Sequence, residues 1–277
     1  MSGTLTLCAT PIGNLADASP RLADALRGAD VIYCEDTRRS RKLLTALGIR
    51  APLRSYFVAN EEARAQELGS RLAGGESVVL ITDAGMPAIA DPGLSAVRAA
   101  IDAGARVTVV PGPSAVTAAL AVSGLPSERF VFEGFLPRKQ EARDARLAEL
   151  AGETRTIVVF VAAGRAATEL AAMADRWGGE RSAVVARELT KLHEDIWRGP
   201  LGEAVAHFGD ERVRGELTVV IEGAPDPAGD LEAAIAEVGR LTGTGVSFSR
   251  AVRDVAGSYG VSRRALYETA RRRRDSE

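Results

Sequence analysis

Residues 35–44 read EDTRRSRKLL. Glu35 and Asp36 are carboxylates that can accept a hydroxyl proton or cap a helix, and Arg38, Arg39, Arg41 and Lys42 follow within six residues. The spacing predicts a helix from Thr37 with Asp36 as its N-cap. Cations in the first turns of a helix oppose its dipole, each forfeiting a few tenths of a kcal/mol, up to about 1. Arg38, Arg41 and Lys42 recur at i, i+3 and i+4 on one face, which leaves Leu43, Leu44 and Leu47 for the core. Guanidinium groups bind phosphate through paired hydrogen bonds, so a row of them held at the mouth of a crevice suits a polyanion backbone. The bland alternative is a solvated basic face with an ordinary cap.

The elements that would position this cluster follow from hydropathy. TLTLCATP, VIYCED, SVVLITDAG and RVTVVPG are β-rich apolar runs, and each is followed by a helical pattern: SPRLADALRGAD, TRRSRKLLTALG, GLSAVRAAIDAG and PSAVTAALAVSG. Strand then helix, repeated, predicts βαβ units and a mainly parallel sheet covered on both faces. After GLPSERFVFEGFLPRK comes a second α/β unit, with TIVVFVAAG, SAVVARELT, a hairpin partner HEDIWRG and ELTVVIEG as its strands. APDPAGD, at 224–230, has the composition of a linker. Beyond it no strand is expected; AVRDVAGSYG-VS-RRALYETARR has helix–turn–helix spacing, with Gly260 at the turn and Ser262 as cap. The expected fold is therefore α/β with two consecutive α/β/α domains, at 1–112 and 113–225, and a small all-helical domain at 229–277.

Four segments leave strands at what would be one edge of the sheets: ATPIGN, CEDTRR, ITDAGMPAIADPG and VVPGPSA. Small residues and glycines there let a flat ligand approach the backbone, and ligands of open α/β sheets sit beyond the carboxyl ends of the strands. A phosphate loop with its Lys is missing, as is the spaced dinucleotide fingerprint, which points away from an ATPase or a nicotinamide enzyme and toward an adenosine-containing ligand. Two cysteines, Cys8 and Cys34, and two histidines give neither a disulfide framework nor a metal set, so no metal is expected. The N-terminus lacks the pattern of a secretory signal, no apolar run approaches a membrane span, and a cytosolic protein is expected. With a net charge of −2 the chain is not coated in positive charge, but the charge is clustered. Six basic residues and no acid lie between Thr37 and Arg54, and nine arginines against four acids lie between Arg240 and Glu277.

In order, ATPIGNLAD, EDTRRSRKLL, ITDAGMPAIADPG, VVPGPSAVTAAL, FEGFLPRK, ELTKLHE and GELTVVIEG resemble the motifs of the tetrapyrrole methylase superfamily. Within it they resemble the branch that methylates a decoding-centre cytidine of small-subunit ribosomal RNA on its ribose 2′-hydroxyl. The resemblance implies S-adenosylmethionine bound in a cleft between two α/β domains, a homodimer, and small-subunit rRNA or the assembled subunit as partner. Carried over motif by motif, cofactor contacts would come from Pro11 and Gly13, from Asp83, Ala84, Gly85 and Met86, from Ser114 and Ala115, and from Val161, Glu188 and Leu189. Asp36 or Glu35 is the expected base or ribose-orienting group, with Lys191 in reserve, and Arg38, Arg39, Arg41 and Lys42 are expected to hold RNA phosphates. The family commonly carries an aromatic, a Glu and a His-Arg pair after the TIVVF-like strand, where this chain has VAAGRAA and keeps Arg165 alone. Two other functions stay open: a methylase of a small tetrapyrrole-type substrate, and a non-catalytic adenosyl-ligand sensor whose C-terminal helices bind nucleic acid.

Overall fold

A computed structural model describes residues 2–208, 215–225 and 231–274. The first sheet contains β1 (Thr4–Cys8), β2 (Val31–Cys34), β3 (Leu53–Ser55), β4 (Ser77–Ile81) and β5 (Arg106–Val110), in the order β3-β2-β4-β1-β5 and parallel throughout. Helices α1 (Pro20–Arg27) and α2 (Thr37–Ala46) cover one face, where Leu22, Leu26 and Leu44 meet Cys8, Ile32, Cys34, Val79 and Ile81. Helices α3 (Glu61–Ala73) and α4 (Leu94–Asp102) cover the other, where Leu68, Leu72, Ala96 and Ala100 meet Leu5, Val31, Tyr33, Val78 and Leu80. Alternate residues of one strand thus feed two cores, which is why these strands read as continuous apolar runs. Both cysteines are free and buried, and burial pushes the Cys8 thiol up to about 12.

Local chemistry sets the helix starts. Ser19 Oγ accepts from Leu22 N at 3.1 Å with Pro20 behind it, and Asp36 Oδ1 accepts from Arg38 N at 2.8 Å, so both predicted starts have a side-chain cap. The unit β3–α3 was not among the expected elements. β3 is only three residues long, while α3 does carry a readable pattern in Ala65, Leu68 and Leu72, with acids in its first turn.

The second sheet has the order β6-β7-β10-β8-β9, formed by β6 (Phe130–Phe135), β7 (Thr156–Ala162), β8 (Ser182–Arg187), β9 (Asp195–Pro200) and β10 (Glu216–Ile221). β6 runs parallel to β7; β10 runs antiparallel to both β7 and β8, and β9 closes the predicted hairpin with β8. Consequently β6, β7 and β8 end on one edge, and β10 begins there. Ile157, Val159 and Val161 face α6 (Gln140–Leu150), α7 (Ala166–Trp177) and α8 (Leu201–Phe208). Val158, Val184 and Val220 face α5 (Ala115–Ser123), and Ile12, from the loop after β1, enters this same core. The first domain's opening loop is therefore packed into the second domain.

Helices α9 (Leu231–Gly243), α10 (Phe248–Tyr259) and α11 (Arg263–Arg274) form a third core of their own around Ile235, Val238, Val252, Val255 and Leu266. Gly260 takes the left-handed conformation at the α10 terminus (φ +62°), and Ser262 Oγ accepts from Ala265 N at 3.3 Å, the turn and cap read from the sequence. Of the expected linker, 226–230 lie outside the described residues, as do the start of the expected helical domain at 229–230 and its last residues, 275–277. Among the described residues no helix is long and apolar enough to cross a membrane, and no group of His, Cys, Asp and Glu side chains is placed to hold a metal ion.

The loop from Thr82 to Gly93 stores backbone strain. Gly85 and Gly93 have φ of +80° and +148°, and Ala88 and Ala90, which have no glycine freedom, sit at +67° and +60°. A Cβ at Gly93 would lie 3.0 Å from Ala88 N and 3.1 Å from Ala88 Cβ. Gly93→Ala is expected to cost about 1–3 kcal/mol of stability, read as a lowered urea midpoint. Gly48→Ala, where φ is +67° in open space, should cost less; equal losses would mean that the crowding at Gly93 is without effect.

Candidate active site

The strand ends of the two sheets enclose a cavity of about 310 Å³. From the first domain it is lined by Ile12, Glu35, Arg39, Thr82, Asp83, Ala84, Gly85, Met86, Ile89, Ala90 and Asp91; Ser114, Ala115 and Val116 line it at the start of α5. From the second sheet come Phe135, Phe160, Val161, Ala186, Glu188, Leu189, Lys191, Glu216, Leu217 and Thr218. The walls are largely apolar, while the charges are five carboxylates against two cations. That is the composition of a pocket for a partly apolar ligand carrying positive charge.

Backbone bonds hold the loops in place. Thr10 and Gly85 exchange hydrogen bonds of 2.9 and 3.1 Å, and Thr10 Oγ1 donates to the Thr82 carbonyl at 3.1 Å, tying the loop after β1 to the loop after β4. Asp83 is held from two sides: Asp36 N donates to its Oδ1 at 3.1 Å, and Arg39 Nη1 lies 3.4 Å from its Oδ2. Burial raises the Asp83 pKa despite these partners. On the facing domain, Glu188 (φ +51°) and Thr190 (φ +66°) bring the described non-glycine residues with positive φ to four, all on the two loops that bracket the cavity. Glu188 accepts from Glu216 N at 3.1 Å and from Lys191 Nζ at 2.9 Å.

The structure brings together Glu35, Arg39, Asp83, Ala84, Gly85, Met86, Ser114, Ala115, Val161, Glu188, Leu189 and Lys191. Pro11, Gly13, Asp36, Arg38, Arg41 and Lys42 are not in the lining. Pro11 and Gly13 flank Ile12, which is; a Cβ at Gly13 would lie 2.4 Å from Lys191 Cγ and 3.0 Å from the Leu189 carbonyl oxygen, so this glycine is where the loops of the two domains touch. The helix turns Arg39 toward the cavity through Asp83. Arg38 instead folds back on its own cap, its Nη2 donating to Asp36 Oδ2 at 2.9 Å, and its side chain is 88% exposed. Arg41 and Lys42 are exposed.

These contacts redistribute the expected roles. Hydrogen bonds from the Arg38 side chain and backbone hold the Asp36 carboxyl down to about 2, leaving it a poor proton acceptor. Burial works against the Lys191 ammonium, but the bond to Glu188 and the charge of Glu216 outweigh it; the pKa ends raised, so this amine stays protonated rather than neutral. Arg165 lies 3.0 Å from the fully buried Glu169 and neither lines the cavity.

Sequence reasoning missed Asp91. Thr82 Oγ1 lies 2.8 Å from Asp91 Oδ2 and 3.1 Å from Glu35 Oε2. One hydroxyl carries one hydrogen, so both bonds are made at once only when one carboxyl holds a proton. Burial, with Glu35 and Asp83 nearby, pushes the Asp91 pKa up to about 6, the direction that puts that proton on Asp91. The signal was present in the DPG that ends the third loop, but nothing in its spacing says that the chain doubles back to place Asp91 beside Glu35. Phe160, read as a strand residue, and Phe135, 5.4 Å from it between ring centroids, also form wall.

Comparison with known proteins matches this architecture. The family described as Tetrapyrrole (Corrin/Porphyrin) Methylases matches residues 4–205. Solved structures share the fold at low identity: a diphthine synthase, at 19% identity and TM-score 0.60 over 80% of this chain and 90% of that one, and a uroporphyrin-III C-methyl transferase from Thermus thermophilus complexed with S-adenyl homocysteine, at 21% and 0.55 over 79% and 96%. Curated relatives called ribosomal RNA small subunit methyltransferase I are far more similar. The Mycobacterium tuberculosis protein is 48% identical over 96% of this chain and 94% of its own, and that of Pseudomonas aeruginosa 43% identical over 98% of each. A Synechocystis relative is 43% identical over 96% of each chain. With its strand ends enclosing an acid-lined cavity and this degree of identity over nearly its whole length, the chain belongs to the ribosomal RNA small subunit methyltransferase I family of the tetrapyrrole methylases, and it is a methyltransferase.

Proposed function

We propose that the protein methylates the ribose 2′-hydroxyl of a cytidine in small-subunit ribosomal RNA, using S-adenosylmethionine, and that it works on the RNA or the assembled subunit in the cytoplasm. One observation carries the reading: a largely apolar cavity with an excess of carboxylates stands directly beside a helix start crowded with guanidiniums. The carboxylates suit a cationic sulfonium, and the guanidiniums suit a phosphate backbone. Asp83, Ala84, Gly85 and Met86, with Ser114, Ala115, Val161, Glu188 and Leu189, are the residues that would hold the donor, and Phe135 and Phe160 would bound it. S-adenosylmethionine supplies a methyl group already activated on sulfur, so the tasks left to the chain are alignment, exclusion of water and removal of one proton. Arg39, held by Asp83, links the two binding surfaces, with Arg38, Arg41 and Lys42 farther out along the RNA path.

Asp91 is the proposed base. A carboxylate with a pKa near 6 is ionised at neutral pH yet basic enough to take a hydroxyl proton as the methyl transfers, and once ionised it accepts the single hydrogen of Thr82 Oγ1, which orients it. The chain is proposed to act as a homodimer, because the outermost strand β5 exposes Val107 and Val109 next to α4, whose Leu94 and Ile101 are exposed on one face.

Incubation with a labelled methyl donor and unmodified small subunits is expected to place label on a cytidine ribose after nuclease digestion. Label on a base, or on a tetrapyrrole precursor in place of RNA, would overturn the reading, and label on neither would favour a ligand sensor. Asp91→Asn should lower kcat by about 10²–10⁴-fold and abolish the limb of the pH–rate profile near 6, below which wild-type activity falls. The sign for stability is opposite. A raised carboxyl pKa means that the folded state binds the proton more tightly, so wild-type stability from this group is fullest below about pH 4 and is lost as pH rises through 6. The Asn variant should therefore melt higher than wild type at pH 8, with the gap closing toward pH 4; a constant gap would remove Asp91 from the role. Sedimentation equilibrium should give twice the 29.1 kDa chain mass, and Ile101→Asp with Val109→Asp should give the monomer.

A further inference from the structure

The segment FEGFLPRK, residues 132–139, closes β6 and leads into α6. Phe132 pairs with Val158 and Gly134 with Val159, so β6 carries one extra residue between them. Phe132 packs with Phe160 on the core beneath α5. An unbroken strand would turn residue 134 to that same face and residue 135 away from it. The extra residue reverses this, and Phe135 joins Phe160 in the cavity wall. Gly134, buried with φ of +70°, permits the kink. Glu133 is clamped to α6, where Arg146 Nη2 donates to its Oε2 at 2.7 Å. Leu136 drops into the opposite core, and Pro137 restricts the next φ. The backbone of Arg138 and Lys139 is thereby fixed at the cavity's edge, with both residues exposed.

These two cations differ from others of the same domain. Arg146 is held by Glu133 and Glu149, Arg165 lies 3.0 Å from Glu169, and Lys191 Nζ lies 2.9 Å from Glu188. Arg138 and Lys139 have no carboxylate partner among the described residues, and in the first domain the exposed Arg41 and Lys42 of α2 have none either. The cavity that the two domains enclose holds five carboxylates against two cations, and so repels phosphate. A nucleotide within a strand carries a phosphate on each side of its ribose. A ribose presented to this cavity therefore leaves both phosphates outside, where each needs cations of its own. Helix α2 supplies them on one wall, and residues 138–139 supply them on the other. Because its loop is already bulged and clamped, the second pair gives up little backbone freedom on binding.

We infer that Arg138 and Lys139 hold the ribosomal RNA backbone on the side of the target nucleotide opposite to the side held by α2. The inference rests on the RNA-methylating reading above and adds a second jaw to it. Both are positioning residues: they grip phosphate away from the reacting atoms and fix how the ribose enters the cavity.

The test uses the full chain carrying Arg138→Gln with Lys139→Gln. Neither side chain has a carboxylate to abandon, so the urea midpoint should stay at the wild-type value. Affinity for unmodified small subunits, read by co-sedimentation apart from methyl transfer, is expected to fall about tenfold, with the log–log salt slope reduced by about 1–2. KM for small subunits should rise with kcat within about twofold, and S-adenosylmethionine affinity should not change. The charge-conserving swap, Arg138→Lys with Lys139→Arg, should keep the wild-type slope, which a merely structural role would not require. Adding Arg41→Gln and Lys42→Gln to the Gln pair should multiply the two losses, because different phosphates are held. If wild-type protein binds subunits and the Gln pair leaves affinity and slope unchanged, this inference alone is overturned. A combined loss no larger than the greater single one would also overturn it, and wild-type protein that binds no RNA would overturn the methylation reading with it.

Discussion

Parallel strands impose one condition on everything else here: their carboxyl ends all lie on the same edge of a sheet. In the first domain this delivers the loops after β1, β2, β4 and β5 to a single rim, and each must find partners for the backbone groups that the sheet no longer satisfies. The exchange between Thr10 and Gly85, the bond from Asp36 N to Asp83 and the bond from Thr10 Oγ1 to the Thr82 carbonyl are those partners. They make the rim a rigid object. The second sheet meets the same condition by a different route, since its antiparallel β10 begins where β6, β7 and β8 end and so contributes Glu216, Leu217 and Thr218 to the cavity.

Rigidity at the rim has a cost visible in the backbone. Ala88 and Ala90 on one loop and Glu188 and Thr190 on the other hold conformations that disfavour any side chain. Such strain persists only where surrounding contacts over-determine it. Here the bond from Ala88 N to the Pro92 carbonyl holds one loop, and those from Glu216 N and Lys191 Nζ to Glu188 and from Thr190 N to Glu194 hold the other. The packing of Ile12 into the second core and the close approach of Gly13 to Leu189 and Lys191 join the two domains, so the cavity exists because the opening loop of one domain is part of the interior of the other.

Charge is divided between interior and surface. Within the cavity, burial first and then the neighbouring carboxylates raise the pKa of Asp91, whereas at the surface Asp36 is drawn the other way by its guanidinium partner. Two acids from neighbouring strand-end loops thereby acquire opposite chemistry, one able to exchange a proton near neutrality and the other fixed as a cap. Cations that oppose a helix dipole occur at the start of both α2 and α11, and in each case the residues behind them are spent on a core, which leaves the positive charge facing outward.

Much of this was legible in the residues alone. The repeated strand–helix pattern, the caps at Asp36 and Ser262, the turn at Gly260, and the identity of the loops after β1, β4 and β5 follow from local rules, because hydropathy period, capping and glycine freedom act over a few residues. The short β3 was not legible, since three residues carry no period, and neither was the direction of β10. Nor could spacing decide which carboxylate titrates: Asp36 and Asp91 are both acids in strand-end loops, and what separates them is that one was buried against Thr82 and Glu35 while the other was left beside Arg38. Sequence by itself determined most of the elements and the loops that face the cavity. Tertiary structure decided which of their side chains share the cavity and what charge each carries, because burial and the distance between residues far apart in the chain are properties that no local pattern encodes.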